Sequence, residues 1–143
     1  MKAKNCLIFG GSGHIGRNLI RKLTKNNYRV TVVTRNIHQK SYIIKTQANA
    51  GYIDIVEVNI FEENKIRELF KTADICINLI GILYEKGGNS FHKIHTEFVE
   101  NLISTIKKQP SVKHFIHFSS LGVKENTESK YLQSKFLAEE NII

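Results

Sequence analysis

Three groupings in this chain have residue types and spacings that could do chemistry. Tyr131-Leu-Gln-Ser-Lys135 sets a phenol and an ammonium four residues apart, on one face of any helix that contains them. That spacing suits proton transfer, because an ammonium beside a phenol favours its ionised form. Ser119-Ser120, with ten residues between Ser120 and Tyr131, offers a hydroxyl able to polarise a carbonyl. The third grouping, Leu7-Ile-Phe-Gly-Gly-Ser-Gly-His-Ile-Gly-Arg17, is built on glycine. Gly10 permits a tight turn. Gly13 lets a phosphate approach the backbone, and Gly16 lets the following helix pack closely on its strand. Free N–H groups at the start of that helix would meet an anion at the positive end of its dipole.

These residues need elements to position them, and the hydrophobic pattern supplies a regular series. Cys6–Phe9 reads as a buried strand, and Ile15, Leu19, Ile20 and Leu23 as one face of a helix. Tyr28–Thr34 is a second, β-branched strand that ends at Arg35-Asn36. Residues 37–50 read as a weak helix with Ile37, Ile44 and Ala48 inward, ended by Gly51. Ile53–Val58 is a third strand, followed by Asn59, and Phe61–Lys71 a helix with Ile66, Leu69 and Phe70 inward. Ala73–Ile80 is a fourth strand, ending at Gly81, and 82–90 a loop. Phe91, Ile94, Phe98, Leu102, Ile103 and Ile106 mark the clearest helix, stopped by Pro110. Val112–Ser119 is a fifth strand, Gly122–Glu128 a polar loop, and Ser129 caps a last helix from Lys130.

This alternation predicts an α/β domain with a doubly wound parallel sheet, the Rossmann arrangement, in strand order 3-2-1-4-5. Ligands of such sheets bind at the carboxyl ends of strands one and four. The glycine turn, Arg35, Asn59 and Gly81 all fall on that edge, which points to a dinucleotide. An arginine at the end of the second strand favours the 2′-phosphate of NADP, where an acidic residue would bind the ribose hydroxyl of NAD. Arg17 is placed to help. Asn59 would face the adenine, Gly81 would admit the ribose, and Lys135 would reach the nicotinamide ribose. NADP(H) is therefore the preferred cofactor, with NAD(H) the alternative. The bland readings are a surface cation at Arg35 and, for Tyr131 and Lys135, a chance pairing in which the lysine stem covers apolar surface.

Composition sets bounds. A chain of 143 residues with 41% hydrophobic content suggests one globular domain. No apolar run reaches the length of a membrane span, and the N-terminus lacks a signal-peptide pattern, so the cytoplasm is the default location. Cys6 and Cys76 sit inside strands and read as small apolar residues. His92/His95 and His114/His117 are three apart but have no third ligand in sight, and no metal is expected. The net charge of +8 comes from dispersed lysines with no basic block and no aromatic RNA-binding motif, so nucleic acid is not an expected partner.

With these residues in place, the chain resembles the short-chain dehydrogenase/reductase superfamily in its extended or atypical, epimerase-like branch. Gly10-Gly11-Ser12-Gly13-His14-Ile15-Gly16, Ser119-Ser120 and Tyr131-x-x-x-Lys135 carry the resemblance. Asn78-Leu-Ile-Gly-Ile-Leu-Tyr-Glu85 and His114-Phe-Ile-His-Phe-Ser-Ser-Leu-Gly122 resemble a narrower group, related to the alpha-subcomplex subunit 9 of respiratory complex I. The resemblance implies that residues 10–17 hold the pyrophosphate and Arg35 the 2′-phosphate. It also implies Ser120 as the catalytic hydroxyl, Tyr131 as acid/base, and Lys135 on the ribose. A nucleotide-binding accessory subunit with little turnover follows from it, as does the alternative of an active oxidoreductase or epimerase. A respiratory-chain partner or a homodimer, through helices 91–108 and 130–143, and peripheral association with the inner membrane are further implications. His14 and Asn59 stand where Phe and Asp are common. Relatives of this kind continue beyond position 143 with a substrate-binding region, so a truncated fragment without a complete site is a third expectation, and exposed apolar residues on the last helix another.

Overall fold

Five short apolar runs, β-branched most strongly in the second, each form a strand, and parallel pairing sets their order. In the computed structural model, which describes residues 4–48, 51–120, 123–125 and 127–142, these are β1 (Asn5–Phe9), β2 (Arg29–Thr34), β3 (Ile53–Glu57), β4 (Ile75–Asn78) and β5 (His114–His117). They make one parallel sheet in the order β3-β2-β1-β4-β5, as the alternation predicts. Ile8 stands beside Val32 on one side and Ile77 on the other. The helices are α1 (His14–Lys25), α2 (Ile37–Lys45), α3 (Glu63–Phe70), α4 (Phe98–Lys107) and α5 (Lys130–Ile142).

The chain divides into two compact units. The first comprises Met1–Leu79 and Gln109–His117, and so holds the sheet with α1, α2 and α3. Side chains alternate across β1. Cys6 and Ile8 join Ile20 of α1, Ile44 of α2, Val30, Val32 and Ile77 in one buried cluster. Leu7 and Phe9 face the other way, where the Phe9 and Phe70 ring centroids lie 6.4 Å apart. Burial, with Asp74 adding to it, pushes the Cys6 thiol up to about 11, and burial pushes Cys76 up as well. Both cysteines behave as core residues. The described strands are shorter than their apolar runs because a ladder ends with its partner. Leu79 N–H still donates to Phe9 O at 2.8 Å, and Val58 N–H to Thr34 O at 3.0 Å.

Two local expectations need correction in this unit. Ile15, read as inward, is 55% exposed, because the buried stripe of α1 runs through Gly16 and Ile20 and Ile15 falls to one side of it. The second helix stops at Lys45, where Thr46 caps it, so Ala48 lies in a turn and is only half-buried.

The second unit comprises Ile80–Lys108 and Phe118–Ile143. Its first helix does not begin as an α-helix. His92–Glu97 forms a π-helical segment that runs into α4. Three successive residues, Ile94, His95 and Thr96, are buried there, which the narrower face of an amphipathic α-helix does not readily allow. Thr96 Oγ1 donates to Ser134 O of α5 at 2.9 Å, and Asn141 Nδ2 donates to Glu100 Oε1 at 3.0 Å, so α4 and α5 lie side by side. Ser129 caps α5, its Oγ accepting Leu132 N–H at 3.3 Å. Gly122 and part of the polar loop lie outside the described residues. Among the described residues no helix is long and apolar enough to cross a membrane.

Candidate functional site

In the first unit the predicted binding residues follow the carboxyl ends of three adjacent strands. Gly10 leaves β1 with φ 86, a left-handed backbone that glycine adopts without strain. The next glycines do different jobs from those their spacing suggests. A Cβ on Gly11 would lie 2.8 Å from Val32 Cγ1 and 3.3 Å from Ile20 Cδ1, so Gly11 is the residue that lets the turn close on sheet and helix. A Cβ on Gly16 would lie 2.6 Å from the Gly11 backbone, so Gly16 packs the helix on the turn and not on the strand. Above Gly13 only Gly10 O comes near, at 3.9 Å, which leaves that side of the backbone open.

Gly13 caps α1 without a side-chain hydrogen bond, and the first turn of α1 carries no acidic residue. Ser12 is half-buried and His14 exposed at this mouth. The Arg17 Nε is buried without a hydrogen-bond partner among the described residues. An open glycine, unmet helix N–H groups and an unpartnered guanidinium nitrogen fit a phosphate group.

Arg35 is exposed between the last residue of β2 and Asn36, whose side chain caps α2 by accepting Gln39 N–H at 3.3 Å. Glu57, opposite Thr34 at the end of β3, accepts Ile37 N–H at 3.1 Å, so a carboxylate already sits at the start of α2. Asn59 builds the next turn. Its Oδ1 accepts Phe61 N–H at 2.9 Å, and its own N–H donates to Glu62 Oε1 at 3.0 Å. Lys65, 2.7 Å from Glu62, helps to hold the Glu62 carboxyl below its usual range.

The second unit holds Gly81, Ser120, Tyr131 and Lys135. Ser120 Oγ and Tyr131 Oη are 2.8 Å apart, so the two hydroxyls that the sequence singled out are in direct contact. Lys135 is 4% exposed, with Nζ 6.0 Å from the centre of the Tyr131 ring. Burial holds its ammonium below the usual lysine range, and Glu139 works against that shift. A Cβ on Gly81 would lie 3.4 Å from Lys135 Nζ and 3.6 Å from His95 Nε2. Both are ordinary contact distances, so Gly81 stands directly beside the ammonium and the imidazole.

His95, Ser134 and Phe91 were not read as site residues. Among the described residues, no group of three or more His, Cys, Asp or Glu is placed to hold a metal ion, and His95 is engaged otherwise. Its Nε2 accepts Ile82 N–H at 2.9 Å, and its Nδ1 lies 2.9 Å from Ser134 Oγ. Phe91 stacks on the imidazole at 5.7 Å, and both rings meet Tyr131 edge-on, at 5.6 and 5.2 Å. Only the i, i+3 spacing of His92 and His95 signalled this residue, and it pointed toward metal chemistry.

Residues 2–142 match the profile of the NmrA-like family. The chain belongs to that family. It is 28% identical over 136 residues to the Arabidopsis thaliana protein named NADH dehydrogenase [ubiquinone] 1 alpha subcomplex subunit 9, mitochondrial. That match covers 95% of this chain and 34% of the plant protein. The chain thus spans about a third of the length of the curated relatives it matches. Its fold is that of yeast methylglyoxal/isovaleraldehyde reductase complexed with NADPH, with TM-score 0.79 and 18% identity over 96% of this chain and 51% of that one. It is also that of the Bordetella bronchiseptica enzyme WbmG in complex with NAD, with TM-score 0.75 and 14% identity over 99% and 49%.

Proposed function

We propose that this NmrA-like chain binds a nicotinamide dinucleotide, with NADP(H) preferred, and serves as a nucleotide-binding accessory protein of the respiratory-chain type with little turnover. The observation that carries the binding reading is the turn after β1. Gly13 is open on its outer side, α1 begins without an acidic residue, and Arg17 Nε has no partner among the described residues. Gly10–Gly16 and Arg17 would take the pyrophosphate, Arg35 the 2′-phosphate, and Asn59 the adenine. The accessory role is supported by the likeness to the plant subunit, and with it a place at a mitochondrial-type respiratory complex or at the inner membrane surface.

Calorimetric titration with NADPH and, separately, NADH tests this. NADPH should bind at least about tenfold more tightly, a difference near 1.4 kcal/mol. The Arg35→Ala variant should lose that difference. Glu57, whose carboxylate could take a ribose hydroxyl, makes the NADH arm informative. Binding of neither nucleotide overturns the proposal.

The Ser120–Tyr131 contact favours a second reading, an active oxidoreductase or epimerase of the short-chain dehydrogenase type. A bound nicotinamide supplies hydride transfer. Ser120 would hold the substrate oxygen by hydrogen bond, Tyr131 would give or take its proton, and Lys135 would hold a ribose hydroxyl and favour the ionised phenol. Turnover on a carbonyl or sugar-nucleotide panel, lost in Tyr131→Phe with NADPH binding retained, would establish it. Binding without turnover, together with enrichment of respiratory-chain components on co-purification, would establish the accessory role.

A further inference from the structure

The π-helical segment His92–Glu97 turns His95 inward, where it is 1% exposed, and its hydrogen bonds fix where its proton lies. Ile82 N–H can only donate, so the Nε2 that receives it at 2.9 Å carries no hydrogen. In the neutral ring Nδ1 then holds the proton and gives it to Ser134 Oγ at 2.9 Å. Ser134 passes its own hydrogen to Tyr131 O at 2.7 Å, and Thr96 Oγ1 donates to Ser134 O at 2.9 Å. The chain of donors runs one way, from Ile82 through His95 and Ser134 to the backbone of Tyr131. The imidazole is also one corner of a triangle of mutually contacting rings. Phe91 stacks on it, and the Tyr131 ring stands at 90° to it, 5.2 Å away.

We propose that His95 is a positioning residue, a neutral Nδ1–H imidazole that holds the Tyr131 ring toward Ser120 and holds the Gly81-Ile82 backbone against Lys135. This rests on the oxidoreductase reading of the same site, in which Tyr131 and Lys135 must keep a fixed relation to a substrate. His95 acts through its hydrogen bonds with Ile82 and Ser134. A loosely placed phenol loses rate out of proportion to its displacement, since a shift near 1 Å costs up to about a hundredfold.

Three measurements test this, two of them independent of turnover. Long-range proton–nitrogen NMR of the histidine-labelled chain should show one imidazole that stays in the Nδ1–H tautomer near pH 7. It should be absent from His95→Phe, which keeps the ring and its stacking but removes both hydrogen bonds. An Nε2–H or averaged signal for His95 overturns the proposal, whether or not the protein is an enzyme. If turnover is found, His95→Phe and Ser134→Ala should lower kcat, the former by about ten- to a hundredfold, with KM and NADPH affinity changed little. An unchanged kcat in a folded His95→Phe protein would show a space-filling role and overturn it. Absence of turnover in the native chain would remove the oxidoreductase reading, leaving the tautomer and the ring-flip rate of Tyr131 in Ser134→Ala to decide the positioning. Faster flipping would support it, and an unchanged rate would refute it.

Discussion

The turn after β1 and the cluster around Tyr131 are built on opposite principles. The turn works by what is missing. Gly10 has the left-handed backbone, Gly11 and Gly16 have no room for a Cβ, and Gly13 leaves the backbone bare. The cluster works by what is present: a buried lysine, a buried imidazole, two aromatic rings and three hydroxyls, all engaged in contacts. A site of the first kind is fixed by backbone sterics and is insensitive to protonation. A site of the second kind depends on hydrogen-bond order and on where charges lie.

The sharpest way to break this comparison is inside the turn itself. Gly16→Ala forces a Cβ to within 2.6 Å of the Gly11 backbone, which cannot swing aside as a side chain could. We expect a loss of about 3 kcal/mol in urea or thermal unfolding. Gly13→Ala meets nothing closer than 3.9 Å and should cost less than about 1 kcal/mol, while weakening NADPH binding by about tenfold or more. Equal losses of stability in the two variants would mean that the glycines are interchangeable spacers, and the reading of Gly13 as a ligand position would fail.

The same contrast explains what was legible beforehand. The strand order and the glycine turn could be read because each depends on neighbours in sequence: apolar runs, breakers and glycines a few residues apart. Tyr131 and Lys135 were legible for the same reason, being one helical turn apart. His95 was not, because its role depends on Ile82 and Ser134, brought to it from distant segments, and on a π-helical segment that periodicity cannot reveal. The separate duties of Gly11 and Gly16 were hidden too. Spacing shows where a glycine stands, and only the packing of Val32 and Ile20 against the turn shows which one would clash.

A smaller effect of opposite sign is expected in the cluster. Burial disfavours the charged form of Lys135, so its folded pKa lies below the ordinary value of 10.5. Between those two values the unfolded chain binds the extra proton, and stability rises with pH across that window. Below the window the penalty is complete. Lys135→Met should therefore raise stability by about 1 kcal/mol at neutral pH, with the gain shrinking as pH climbs toward 10.5. Loss of any turnover alongside that gain is the expected signature of a charge kept for chemistry. A destabilised Lys135→Met protein would instead make the ammonium part of the packing.

The smallest effect belongs to α5. Leu137 is 44% exposed, while Leu132, Phe136 and Ile142 on the same helix are half-buried. A single exposed leucine is ordinary on a protein surface and adds little to folding. Leu137→Lys should shift unfolding by no more than about 0.5 kcal/mol. Its informative readout is sedimentation. If α5 carries self-association, the charge should turn a concentration-dependent dimer into a monomer without altering NADPH affinity, because Leu137 is not one of the proposed nucleotide contacts. A dimer that survives the substitution would remove Leu137 from the interface, and a native chain that is monomeric throughout would end the homodimer reading and leave the respiratory-chain partner as the one to pursue.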